Sequence, residues 1–169
     1  MSLWKTRPYQ SSDRDACLRI LDGNSPQSFL PNEREAKKAS GVDDLEGAIA
    51  RLSGIVPIVA VKLGPEGALG QRGGERLTCP PLAIGAESVD PVGAGDSFDA
   101  GFLHQYVRGA SLATCLAYGN LAGAFSTTRP GGTEAFRDRQ HFEQFFRRHW
   151  TQDKANEAES NPAPAKANP

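Results

Sequence analysis

The chain lacks an excess of charge of either sign. Its 19 Lys and Arg stand against 20 Asp and Glu, a formal net charge of −1. That balance offers no field for a nucleic-acid backbone or an anionic membrane surface, so neither is expected as a partner. Cysteine is scarce. Cys17, Cys79 and Cys115 are odd in number and widely spaced, which excludes a disulfide framework or a zinc pattern. Three reduced thiols fit a cytoplasmic protein. No apolar run is long enough to span a bilayer, and no stretch reads as a secretory signal. His104, His141 and His149 have no acidic or Cys partner at ligand spacing, so no metal is assigned to them. No internal repeat is present. Two familiar nucleotide motifs are missing as well. A P-loop needs Gly-Lys-Ser/Thr, which does not occur. A dinucleotide fingerprint needs a third small residue where this chain has Phe98.

The 169 residues suit one domain with a sizeable core. Residues 1–27 are polar and mixed, with a short helix expected around Arg14 to Leu21. Asn24-Ser25-Pro26 marks a turn. Glu33 to Ser40 reads as a helix stopped by Gly41. A second helix runs through Leu52, with Leu45, Ala48, Ile49 and Leu52 at helical spacing. Ile55 to Leu63 is apolar and β-branched and reads as a buried strand. Ala68 to Gln71 and Arg76 to Cys79 read as hairpin strands around Arg72-Gly73-Gly74. Leu82 to Ile84 and Glu87 to Val89 lead into a glycine turn. Helices follow from Gly95 to about Val107 and from Ser111 to about Ser126, the latter ended by Pro130-Gly131-Gly132. Gln140 to His149 is an amphipathic helix, with Phe142, Phe145, Phe146 and Trp150 as its apolar stripe. Arg147-Arg148-His149 reads as a solvated helix end. Residues 151–169, without an aromatic, read as a disordered tail. Strands alternating with helices predict an α/β sandwich with a mainly parallel sheet.

The most informative stretch is Ser88 to Phe102, an extended segment, a glycine turn and a helix that opens on a carboxylate. Gly93 and Gly95 permit positive φ and close approach of a ligand. Unpaired N–H groups and the positive end of the helix dipole make an anion site of the turn. Asp96 at its mouth has two readings. It is simply a capping residue, Asp being favoured near helix starts, or it takes a proton from a hydroxyl that then attacks a phosphate.

The surroundings carry a resemblance. Asp90-Pro-Val-Gly-Ala-Gly-Asp-Ser-Phe-Asp-Ala-Gly-Phe102 resembles the C-terminal signature of the ribokinase-like (PfkB) carbohydrate kinases. Leu30-Pro-Asn-Glu-Arg-Glu-Ala36 resembles that family's N-x-x-E motif, with Asn32 and Glu35 at the matching positions. Val61-Lys-Leu-Gly-Pro-Glu-Gly67 resembles its strand-to-strand turn along the nucleotide. Tyr118 to Ala124, then Thr128 to Thr133, resemble its adenine-side helix and closing loop. The four segments stand in family order and run from about residue 28 to about residue 150.

The resemblance implies a ribokinase-like three-layer α/β/α sandwich, of which residues 1–150 form the C-terminal portion. Nothing resembles the family's N-terminal sugar-binding half or its β lid. It implies ATP and Mg²⁺ as cofactors and a sugar of unspecified identity as substrate. Asp96 becomes the catalytic base, and the N–H groups of Gly93, Ala94 and Gly95 hold the transferring phosphate. Asn32 and Glu35 organise Mg²⁺, Glu35 through water; a capping box explains the same pair. Lys62, Gly64 and Gly67 lie along the phosphates and ribose; an ordinary hairpin turn explains them equally. Asn120 lies beside adenine or ribose, or is simply a polar helix residue. Asp90, Val92, Ser126, Arg129, Gly131 and Ala135 match a monovalent-cation site, for which K⁺ is the candidate. Asp99, one helical turn beyond Asp96, reads as structural, its side chain directed along the helix. Two functions therefore stand open: an ATP-dependent sugar kinase, with little activity as this portion alone, or a non-catalytic nucleotide-binding or interaction module derived from one.

Overall fold

The computed structural model describes residues 27–150. The expected helix around Arg14 to Leu21, the Asn24-Ser25-Pro26 turn, the tail at 151–169 and Cys17 lie outside them.

Helix α1 spans Glu33–Ser40 and both its ends are written locally. Asn32 Oδ1 accepts from Glu35 N, and Glu35 Oε2 accepts from Asn32 N, each at 2.9 Å. This capping box satisfies two backbone donors at once. Gly41 closes the other end in the left-handed region at φ 72°. Helix α2 spans Leu45–Ser53 under an Asp44 cap. Ile55 and Val56 do not join the next strand as expected, because their N–H groups donate back to Leu52 O. Strand β1 is therefore Ile58–Lys62, shorter than the apolar run. β2 is Ala68–Arg72 and β3 is Glu75–Cys79. Helix α3 is Ala94–Tyr106, α4 is Leu112–Ser126 and α5 is Arg139–His149. Single 3₁₀ turns occupy Gly64–Glu66, Gly85–Glu87 and Glu134–Arg137. The stretch Glu87 to Val89, which leads into the glycine turn, forms no strand. Val89 N and Asp90 N donate instead to Thr127 O.

The described residues show the hairpin part of the expected mainly parallel sheet. Among the described residues its three strands run in the order β1-β2-β3 and pair antiparallel, as consecutive strands joined by tight turns do. Parallel pairing enters at β1, where Phe29 bridges to Val59 and Asn32 to Lys62. Lys62 N donates to Pro31 O at 2.9 Å, which brings the start of α1 alongside the end of β1.

Alternation along β1 builds three layers. Val59 and Val61 pack with Ala36, Ile49 and Leu52 of α1 and α2. Ile58 and Ala60 pack with Phe98, Phe102, Leu112 and Leu116 of α3 and α4. Small residues draw α3 and α4 together. A methyl on Gly101 would lie 2.7 Å from Ala122 Cβ, and one on Gly123 would lie 3.0 Å from Ala94 O. The aromatic stripe of α5 forms a third cluster around Phe125, which is fully buried. His104 stacks on Tyr118, and His141 Nε2 lies 3.0 Å from the Thr128 hydroxyl. At the end of α5, Arg147 pairs with Glu143 and Arg148 with Glu87. No group of three His, Cys, Asp or Glu among the described residues converges as a metal site. None of the described helices is long and apolar enough to cross a membrane.

Candidate functional site

The C-terminal end of β1, the start of α1 and the N-terminus of α3 meet at one cleft of about 850 Å³. Asn32, Glu35, Lys62, Gly64, Gly67, Gly93, Ala94, Gly95, Asp96 and Asn120 all line it. Residues spread over 89 positions in sequence thus share one surface. Two wall segments were not anticipated from sequence: Pro81 to Gly85 and Thr127.

Gly93 caps α3 in the left-handed region, φ 79° and ψ −2°. Gly95 does not share that conformation. It sits inside the first turn of α3 and is absent from the positive-φ glycines, which corrects the expectation for it. Its value to a ligand is the missing side chain. A methyl there would face the cleft, 3.8 Å from Lys62 Nζ. The anion cradle is also redistributed. Ala94 N already donates to Pro91 O at 3.2 Å, whereas the N–H groups of Gly93, Gly95 and Asp96 have no acceptor among the described residues. Open N–H groups on a helix's first turn favour a negative ligand.

Asp96 stands in that first turn and is exposed. Its carboxylate accepts no hydrogen bond from the described residues. Capping therefore does not occupy it.

Asp99, expected as a structural residue with its side chain directed along the helix, reaches across to β1 instead. Its side chain does not follow the helix. Both its oxygens accept from Lys62 Nζ, at 2.8 and 2.9 Å. Burial pushes the Asp99 carboxyl above its ordinary value; the Lys62 ammonium opposes this, and the Asp96 and Glu35 carboxylates reinforce it. The Lys62 ammonium, which lines the cleft, is thus paired with a carboxylate that also feels the charges of Asp96 and Glu35. The available signal was the three-residue spacing from Asp96 to Asp99, which puts both on one helix face.

Asn120 faces the cleft, but its amide donates to Cys79 O and Pro80 O at 3.3 and 2.8 Å. It anchors the end of β3 to α4 and so fixes the Pro81 to Gly85 wall. The Asp90 carboxylate ties two loops together, accepting from Val92 N and Gly131 N at 3.0 and 2.9 Å. Those bonds hold its pKa below the ordinary carboxylate value. Of the other cation-site candidates, Val92 is exposed and Ala135 buried. The Ser126 hydroxyl donates to Gly123 O. Arg129 lies 3.9 Å from the Asp138 carboxylate. Val92 and Gly131 do not line the main cleft; they line an adjacent cavity of about 700 Å³ that shares Gly93 and Asp96 with it.

Comparison with known proteins gives this geometry a context. The profile of the pfkB family carbohydrate kinases matches residues 6–139. An uncharacterized sugar kinase of Archaeoglobus fulgidus is 36% identical over 106 residues, 63% of this chain and 42% of that protein. The crystal structure of adenosine kinase from Sinorhizobium meliloti superimposes with a TM-score of 0.67 at 30% identity, over 75% of this chain and 40% of that one. An E. coli protein solved in complex with ATP and Mg²⁺ superimposes with a TM-score of 0.69 at 30% identity, over 82% of this chain and 44% of that one. The described residues form part of a ribokinase-like α/β fold. The chain spans less than half the length of each of these relatives.

Proposed function

Because the chain belongs to the pfkB family of carbohydrate kinases, we propose that it carries the C-terminal, nucleotide-binding and base-bearing portion of an enzyme that transfers phosphate from ATP to a hydroxyl of a sugar or nucleoside. One observation carries this reading. A single cleft holds open N–H groups at a helix N-terminus, an ammonium, and a carboxylate engaged by no donor among the described residues. Phosphoryl transfer asks for positioning and charge neutralisation, with little covalent help.

The roles divide accordingly. The N–H groups of Gly93 and Gly95, joined by that of Asp96, take the γ-phosphate; Ala94 contributes when its bond to Pro91 opens. Lys62 supplies positive charge along the phosphates. Gly64 and Gly67, in the β1–β2 turn, let the nucleotide lie against backbone. Asn120 shapes the base side of the cleft through the segment it anchors. Asp96 accepts the proton of the attacking hydroxyl. Its removal is expected to cost on the order of 10²–10⁴ in rate. Mg²⁺, when bound, would supply charge neutralisation for the phosphates. The residues fit a metal held mainly by phosphates and water, with Glu35 reached through water, since this ion keeps much of its hydration shell. Asn32 then acts by fixing Glu35 through the capping box. Backbone oxygens around Asp90, Val92, Ser126, Arg129, Gly131 and Ala135 would hold K⁺, in loops the Asp90 carboxylate already draws together. A cytoplasmic setting suits both ATP and the free thiols of Cys79 and Cys115.

The length relation favours a second reading. A chain spanning 42% of a sugar-kinase relative need not hold an acceptor, and a nucleotide-binding or interaction module is the alternative. Calorimetric titration with Mg·ADP, followed by a coupled ADP-release assay over sugars and nucleosides, tests both. Nucleotide binding with little turnover is the expected result for this chain alone, because orientation of the acceptor supplies much of the rate. A folded sample that ignores millimolar nucleotide contradicts the kinase and the nucleotide-binding module alike. Rapid turnover on any acceptor contradicts the module.

A further inference from the structure

We propose that Asp99 is a positioning residue for the Lys62 ammonium, which it holds in the cleft as a clamp for the β- and γ-phosphates of ATP; this rests on the nucleotide-binding reading above and assigns Asp99 a part in it.

The geometry is specific. Lys62 ends β1, and its Nζ meets both Asp99 oxygens from a residue 37 positions later in the chain. The same Nζ lies 3.8 Å from where a methyl on Gly95 would stand, so the ammonium is set against the first turn of α3. A cation is unfavourable there, because that end of a helix carries positive potential. Asp99 offsets the potential from within the same helix. Lysine carries a compact charge on a flexible stem with three rotatable donors. It can keep Asp99 and still reach a phosphate bound at the Gly93–Asp96 turn. With Asp99 neutralised, the stem is expected to swing to water, leaving the cradle without its cation. The pair also bridges the sheet to α3, so a purely structural role is the rival explanation. That role predicts effects on folding that do not depend on how many phosphates a ligand carries.

The test is calorimetric titration of the chain with Mg·ATP and, separately, with AMP, which lacks the β- and γ-phosphates. Wild type, Lys62→Met, Asp99→Asn and the double variant are compared, each with its melting curve. Lys62→Met is expected to weaken Mg·ATP on the order of tenfold, the scale of one charged hydrogen bond. AMP affinity should stay within about twofold. Asp99→Asn, which preserves shape, should reproduce part of the ATP loss with AMP unchanged. In the Lys62→Met background it should add nothing. The proposal is overturned by equal changes for ATP and AMP, by an Asp99→Asn effect that persists without Lys62, or by no ATP effect from Asp99→Asn. A folded wild-type chain that binds no ATP overturns this proposal and the nucleotide-binding reading together. ATP binding indifferent to Lys62 overturns this proposal alone.

Discussion

The backbones of Gly93 and Gly132 touch: a methyl on Gly93 would stand 2.6 Å from the Cα of Gly132, and both residues have positive φ. The loop after α4 therefore braces the turn that opens α3. Gly93→Ala is expected to strain that backbone by about 1–2 kcal/mol, before any clash with Gly132 is counted. It should lower the melting temperature and abolish nucleotide binding together. Gly95→Ala should separate the two effects, melting near wild type while weakening Mg·ADP, because its methyl enters the cleft and not the protein. Parallel melting and titration of the two variants checks this.

Asp96→Asn should leave the fold intact, since the carboxylate accepts no hydrogen bond from the described residues. ATP affinity should hold or rise slightly, as one negative charge beside the γ-phosphate is gone. In a chimera supplying the acceptor-binding portion from the Archaeoglobus relative, turnover should fall on the order of 10²–10⁴. A variant keeping more than about a tenth of wild-type turnover denies Asp96 the role of base.

Phe125 organises the third core cluster, with the rings of Phe136, Phe142, Phe145 and Phe146 at centroid distances of 5.0, 5.5, 5.0 and 5.7 Å. Phe125→Ala is expected to cost about 3–5 kcal/mol. The loss should release α5 and, through the loop after α4, the brace on Gly93. Denaturant unfolding gives the number.

Burial pushes the Cys115 thiol from 9.0 to about 11. The unfolded chain ionises this thiol first, so its contribution is fully present below pH 9.0 and lost as pH rises through about 11. Stability should therefore fall across that window, and Cys115→Ala should flatten part of the decline. A thiol so placed should also resist alkylation until the protein unfolds.

What the sequence told, and what it withheld, follows from the range of each interaction. Helix α1 was readable to the residue because Asn32, Glu35 and Gly41 write its ends within nine positions. The glycine turn and Asp96 were readable because a helix N-terminus is a local object. Lys62 and Asp99 were each visible, but their bond spans 37 positions and depends on β1 lying beside α3. The bond from the Asn120 amide to Pro80 O was not legible, since only the fold shows that oxygen within reach. The apolar run from Ile55 hid the end of β1, as hydrophobicity alone does not reveal that Ile55 and Val56 cap a helix. The antiparallel pairing among the described residues follows from the same locality, since consecutive strands joined by tight turns pair that way.

The central claim is that phosphate binds at the N-terminus of α3. An isotope-labelled sample titrated with Mg·ADP and followed by amide chemical shifts measures it at each residue. The account predicts the largest changes at the amides of Gly93, Gly95 and Asp96, with smaller ones at Lys62, Gly64 and Asn120. Changes confined to other surfaces, or no change at millimolar nucleotide, would contradict it.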